Sequence, residues 1–241
     1  VFDFNAMLTP GRRMDELARF LSFWLGDPGP DYGDSPVDLG ARALPEPLRR
    51  LYAVAGRWPM ADKYGNRHIG RLFSAQDALR PLSRLETSDD GKLIFIDENQ
   101  GVWTVATLPE GNDPPVWVED SLEGYGTGRW GKVAESLSEF LVTFCLQELV
   151  FGSPWFRWDK RLSALFDSGE LGPAAPILAN GPYVYSKPGR GHSFHLLGTG
   201  VLVGRFFGGS LGFAARDAAA ASLLDANESE ISSITLTTPN S

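Results

Sequence analysis

Gly126-Thr127-Gly128-Arg129-Trp130-Gly131-Lys132 carries the glycine and lysine spacing of a phosphate-binding loop, in which backbone amides and the lysine cradle phosphate oxygens. The next residue breaks the pattern, because Val133 stands where a Ser or Thr hydroxyl has to hold magnesium. Residues 119–124 are also polar where a buried strand must lead into such a loop. A glycine-rich loop without nucleotide is expected. Gly208-Gly209-Ser210-Leu211-Gly212 fits the nucleophile elbow, which exposes a serine hydroxyl between a strand and a helix. That chemistry needs an acid and then a histidine downstream, and no histidine follows His195. A glycine-rich β-turn is the better account. His68, His192 and His195 are the only histidines, whereas a zinc site needs at least three well-placed ligands. In a strand the odd spacing of His192 and His195 sends them to opposite faces. Exposed or hydrogen-bonded imidazoles are expected, with no metal and no cofactor. Cys145 has no histidine or basic residue near it in sequence, and is expected to be a small buried hydrophobe.

The remaining chemistry is charge. Asp89-Asp90, Asp97-Glu98 and Glu119-Asp120-Glu123 place carboxylates on predicted turns. The chain has 30 acidic and 22 basic residues, a net charge of −8, which argues against direct binding to nucleic acid or anionic membrane. Basic partners fit better. A single cysteine excludes an internal disulfide framework and points to a reducing compartment, the cytoplasm. The start, Val1-Phe2-Asp3-Phe4, lacks the basic region of a signal peptide, and no apolar run approaches the roughly 20 residues of a membrane helix. Val1 stands where an initiator methionine is expected, which suggests a trimmed or partial chain. With 241 residues, 43% of them apolar, the chain can bury a sizeable core.

The elements that must position these groups begin with a meander of three strands over residues 93–118. Leu93-Ile94-Phe95-Ile96 reads as a strand buried on both faces. The turn Asp97-Glu98-Asn99-Gln100-Gly101 then leads to Val102-Trp103-Thr104-Val105-Ala106-Thr107, and residues 109–115 turn the chain into Val116-Trp117-Val118. Before the meander, Thr9-Pro10 opens a helix carrying Leu17, Phe20, Leu21, Trp24 and Leu25 on one face. Residues 27–38 read as a solvated connection with no helix or strand. Leu44-Pro45-Glu46-Pro47 opens a second helix that Gly56 ends. Residues 69–73 read as a short strand, and Ser74 with Asp77 as the cap of a brief helix that Pro81 stops.

After the meander, Ser136-Leu137-Ser138-Glu139 is a capping box opening a helix whose face carries Leu137, Phe140, Leu141, Phe144, Cys145 and Glu148. Residues 155–166 look helical, with Trp155, Phe156 and Trp158 closing a core. A second antiparallel sheet is expected from strands at 183–185, 193–197, 201–206 and 211–214. A small helix at 218–224 precedes a Ser/Thr-rich tail at 227–241.

Taken in order, these pieces resemble the SUKH superfamily, which includes fungal cell-wall synthesis regulators and many bacterial immunity proteins. Leu44-Pro45-Glu46-Pro47-Leu48 with Gly56 is similar to its early helix, and residues 69–79 to its strand and short helix. Leu93-Ile94-Phe95-Ile96-Asp97 with Gly101 resembles its central hairpin, and Pro115-Val116-Trp117 its next strand. Residues 134–141 resemble its closing helix. The match spans about residues 44–151.

The resemblance implies an α+β fold, a mixed sheet with flanking helices at 1–150. To this the chain adds a C-terminal antiparallel β-rich subdomain at 151–226 and the tail at 227–241. It also implies binding to another protein without catalysis, most often a cognate toxin of a polymorphic or contact-dependent system. The alternatives are a cell-wall-type regulator or scaffold, and a hydrolase or nucleotide-binding enzyme using Ser210 or the 126–132 loop. Toxins that act on nucleic acid carry basic surfaces, so Asp89, Asp90, Asp97, Glu98, Glu119, Asp120 and Glu123 are the partner-binding candidates.

Overall fold

The computed structural model describes residues 4–59, 72–120, 130–184, 190–206, 209–222 and 224–225. In chain order the helices are α1 (Phe4–Leu8), α2 (Arg13–Leu25), α3 (Pro36–Gly40), α4 (Glu46–Ala55), α5 (Leu137–Gly152) and α6 (Lys160–Ser168). The strands of one sheet are β1 (Asp77–Leu79), β2 (Glu86–Thr87), β3 (Leu93–Glu98), β4 (Trp103–Thr107), β5 (Val116–Asp120) and β6 (Trp130–Ala134). Those of a second sheet are β7 (Arg157–Trp158), β8 (Ala174–Gly181), β9 (His192–Leu197), β10 (Val201–Arg205) and β11 (Leu211–Ala215). Every pairing in both sheets is antiparallel, and the fold is α+β with flanking helices.

The first sheet runs β1-β3-β4-β5-β6, with β2 beside β1 on the same edge of β3. Its meander follows the expected hairpins, and Gly101 takes a φ of +72° in the turn between β3 and β4. In β3 the apolar run is handled differently from the expectation of two buried faces. A bulge between Ile94 and Ile96 leaves Phe95 outside the ladder, and Phe95 and Ile96 are both fully buried. The bulge also sets the phase of the strand beyond it, so Asp97 pairs with Thr104 on the outer face and Glu98 stands beside Asp77.

Helix α5 lies between the two sheets. Ser136 caps it by accepting the Glu139 N–H at 3.3 Å, and Asp113 accepts the Ser138 N–H at 2.7 Å. The expected apolar face is there, but residues 140–150 are buried on every side, which only an element packed all round can achieve. Phe140 meets Phe95 of the first sheet edge-on at 6.2 Å and stacks on Tyr183, just after β8, at 5.3 Å. Helices α2 and α4 flank α5, and one core joins Leu17, Phe20, Leu48 and Tyr52 to Phe95, Phe144, Phe194 and Leu202. The two sequence segments 1–150 and 151–226 therefore meet along α5.

The second sheet runs β7-β11-β10-β9-β8 and obeys the two-residue period. Leu202 and Ala214 face α5, whereas Val201, Val203, Leu211 and Phe213 pack with Leu162 of α6 and with Ala220, Ala221 and Leu224. Four sequence expectations need correction. Residues 27–38 contain the start of α3, because Ser35 caps it and Pro36 presets its first turn. No helix follows Ser74, since the N–H groups of residues 75–77 bind Glu148 and Asp77 joins a strand. The helix expected from 155 begins at Lys160, where the Asp159 side chain accepts the Arg161 and Leu162 N–H groups, and Arg157–Trp158 pairs with β11. Tyr183 and Val184 lie outside the strands, and the edge of the sheet is β8, whose Pro176 and irregular register hid it. Of the strand expected at 69–73, residues 69–71 lie outside the described residues, as do Tyr185 and the tail at 227–241.

Candidate functional site

The strand register sorts the expected partner-binding carboxylates. Ala78, Asp97, Thr104, Glu119 and Trp130 form one cross-strand row on the face of the first sheet opposite Val105 and Val118. Asp97 and Glu119 thus share a face. Asp89 and Asp90 sit in the turn before β3, at the other end of that six-residue strand and about 20 Å away. Glu98 accepts the N–H groups of Gln100 and Val102 at 2.8 and 3.0 Å, so it braces its own turn. The Asp120 side chain and Glu123 lie outside the described residues.

Most of this charge has partners within the chain. Arg80 grips Asp97 fork to fork, with both bonds at 2.8 Å, and reaches Glu86 at 2.8 Å. Lys92 pairs with Asp90, and its ammonium lies 5.5 Å from the ring centres of both Trp117 and Trp130. Lys92, followed by Ser88, holds the Asp90 carboxyl below the usual range. Beside this lattice, at the β1 and β2 edge, runs an open groove of about 780 Å³. Its lining includes Gln76, Arg80, Arg84, Glu86, Asp97 and Glu98, and Asp77 stands at its inner wall.

Asp77 also belongs to a buried polar junction that sequence reasoning missed. Glu148 of α5 accepts the N–H groups of Ala75, Gln76 and Asp77 at 2.6, 3.0 and 3.0 Å. Asp77 in turn accepts Tyr183 Oη–H at 2.6 Å and Gln147 Nε2–H at 2.9 Å. His192, expected to be exposed or hydrogen-bonded, is buried and stacks on Tyr183 at 5.0 Å. Burial, then the neighbouring Asp77 charge, pushes Glu148 up to about 8, against the three amides. Burial pushes Asp77 up to about 6, with the Tyr183 hydrogen bond opposing it, and burial lowers His192 to about 4. Both carboxylates are at most 2% exposed, and the junction ties β1, α5 and the second sheet together. One sequence signal pointed to it: Glu148, next to Gln147, is an acid within the largely apolar run of α5.

The other motifs resolve locally. Ser210 lies between β10 and β11, and its carbonyl accepts the Phe206 N–H at 2.9 Å; a strand follows it, where a nucleophile elbow needs a helix. Residues 126–129 of the glycine-rich loop, and His68, lie outside the described residues. Lys132 is in β6 and pairs with Glu135 at 2.6 Å. Cys145 is buried, as expected, and burial pushes its thiol up. His195 faces Phe166 of α6, opposite the His192 side, as its spacing required. Among the described residues, His, Cys, Asp and Glu side chains nowhere gather in threes as a metal site, and no helix is long and apolar enough to cross a membrane. The chain matches no family model, no curated protein and no solved structure.

Proposed function

We propose that this chain is a non-enzymatic protein-binding module, an immunity protein of the SUKH type that neutralises a cognate toxin in the bacterial cytoplasm. The observation that carries this reading is the open groove at the edge of the first sheet, with Glu86, Asp97 and Glu98 beside Arg80 and Arg84 in its lining, in a chain of net charge −8. These carboxylates complement the basic surface of a toxin that grips phosphates, and long-range attraction speeds the encounter.

The test is co-expression with a toxin domain recovered by co-purification from the native host, followed by association rates for the purified pair. Growth should be restored, and Glu86→Lys with Glu98→Lys should slow association about tenfold at low salt, an effect that shrinks above 0.1 M, where screening acts within about 10 Å. A chain that neither protects cells nor binds the toxin overturns the proposal. Unchanged rates in the double variant remove the groove as the binding site.

A further inference from the structure

At the inner wall of the groove β1 is paired with β3, whereas the stretch leading into it is held to α5 by a few groups. Residues 75–77 give all three amides to Glu148, Asp77 reaches Gln147 and Tyr183, and Phe73 packs its ring on Phe144 at 5.8 Å. Phe73 also sits at a φ of +63°, a left-handed conformation that a bulky side chain adopts only under constraint. Once the hold is lost, that strain favours departure.

The hold is electrostatically one-sided. Glu98 stands across β3 from Asp77, α5 contributes Cys145, Gln147 and Glu148, and the second sheet contributes Tyr183 and His192. Arg80, the cation next along the chain, is bound to Asp97 and Glu86 on the outer face. Among the described residues neither Asp77 nor Glu148 has a cation partner, and no donor reaches the buried acceptors Asp77 Oδ1 and Gln147 Oε1. A proton within the pair supplies a donor and removes one of two adjacent buried charges.

We propose that Asp77 and Glu148 form a proton-held latch between the two sheets. With a proton in the pair, residues 74–76 stay on α5; with both carboxyls ionised, that stretch lets go beside β1, which β3 keeps in place, and the groove wall opens at Gln76. The two carboxyls ionise together only as pH rises past neutrality, since burial raises both. The latch stands whether or not the groove binds a toxin.

Amide hydrogen exchange on the unaltered protein tests it between pH 6 and 8.5, with rates divided by the intrinsic rates at each pH. Protection of the residue 75–77 amides should fall by up to about tenfold per pH unit as pH rises from 6 toward 8 and level off above that, while β10 amides keep theirs. Glu148→Gln, which keeps an acceptor and carries no charge, should flatten that profile. Should it fold poorly, Asp77→Asn and the carboxyl carbon titration of the unaltered protein decide. The proposal is overturned by constant protection at 75–77, by loss in step with β10, by a parent-like profile in Glu148→Gln or Asp77→Asn, or by both carboxyls titrating below pH 5.

Discussion

Glu148 receives three amides from one turn and, among the described residues, no cation, and that combination fixes how stability responds to pH. Its folded value is raised to about 8 and that of Asp77 to about 6, so the native state holds protons that the unfolded chain has released. More protons on the native side means that stability falls as pH rises through the window. His192, lowered to about 4, acts in the opposite sense, adding stability as pH rises from about 4 to about 6.5. The uncompensated window is therefore about pH 6.5 to 8, where Glu148 alone titrates, with a slope of up to about 1.4 kcal/mol per pH unit. Urea midpoints should drop across that window and should stop dropping in Glu148→Gln. Phe140 shows the other residue-scale term, since its ring touches Phe95 on one side and Tyr183 on the other. Phe140→Ala should cost about 3–5 kcal/mol in equilibrium denaturation.

Between α5 and the second sheet, packing depends on two strand glycines. A side chain at Gly204 meets the Phe206 ring, and one at Gly212 comes within 3.0 Å of Phe156 and 3.1 Å of Phe206. These rings, with Phe151 and Trp158, form a continuous set of edge and tilted contacts at one end of α5. Trp158 closes it on the short edge strand β7 and is 51% exposed. Gly204→Ala should lower stability by about 1–3 kcal/mol through overpacking, with a visible fall in Tm. Ala at Gly169 or Gly198 would meet open space and strain only the left-handed backbone, so it separates the two effects.

At the scale of the molecule, both sheets use the same helix. Removing everything after Gly152 would strip Phe194, Leu202 and Ala214 from the core that α5 shares with the meander. We expect the 1–152 fragment to lose cooperative unfolding and to expose apolar surface, and the full chain to unfold in one calorimetric transition. Two separate transitions, or a fragment with a sharp one, would show that the 1–150 segment folds alone. The acid excess acts at the same scale, through the field that steers a basic partner toward the groove.

By itself the sequence determined what depends on near neighbours. The Ser136 cap, the Pro47 opening of α4, the turn at Gly101 and the alternation of Trp103, Thr104 and Val105 are set by groups a few residues apart, and each element formed where those signals place it. Opposite faces for His192 and His195 follow from strand geometry in the same way. Only the tertiary structure decided that α5 is enclosed by two sheets, that Pro176 lies in an edge strand, and that Asp77 leaves its expected cap. The reason is distance along the chain: Asp77 meets Glu148 across 71 positions and Tyr183 across 106. The raised carboxyl values arise from desolvation, and water is excluded only when those distant segments close on one another.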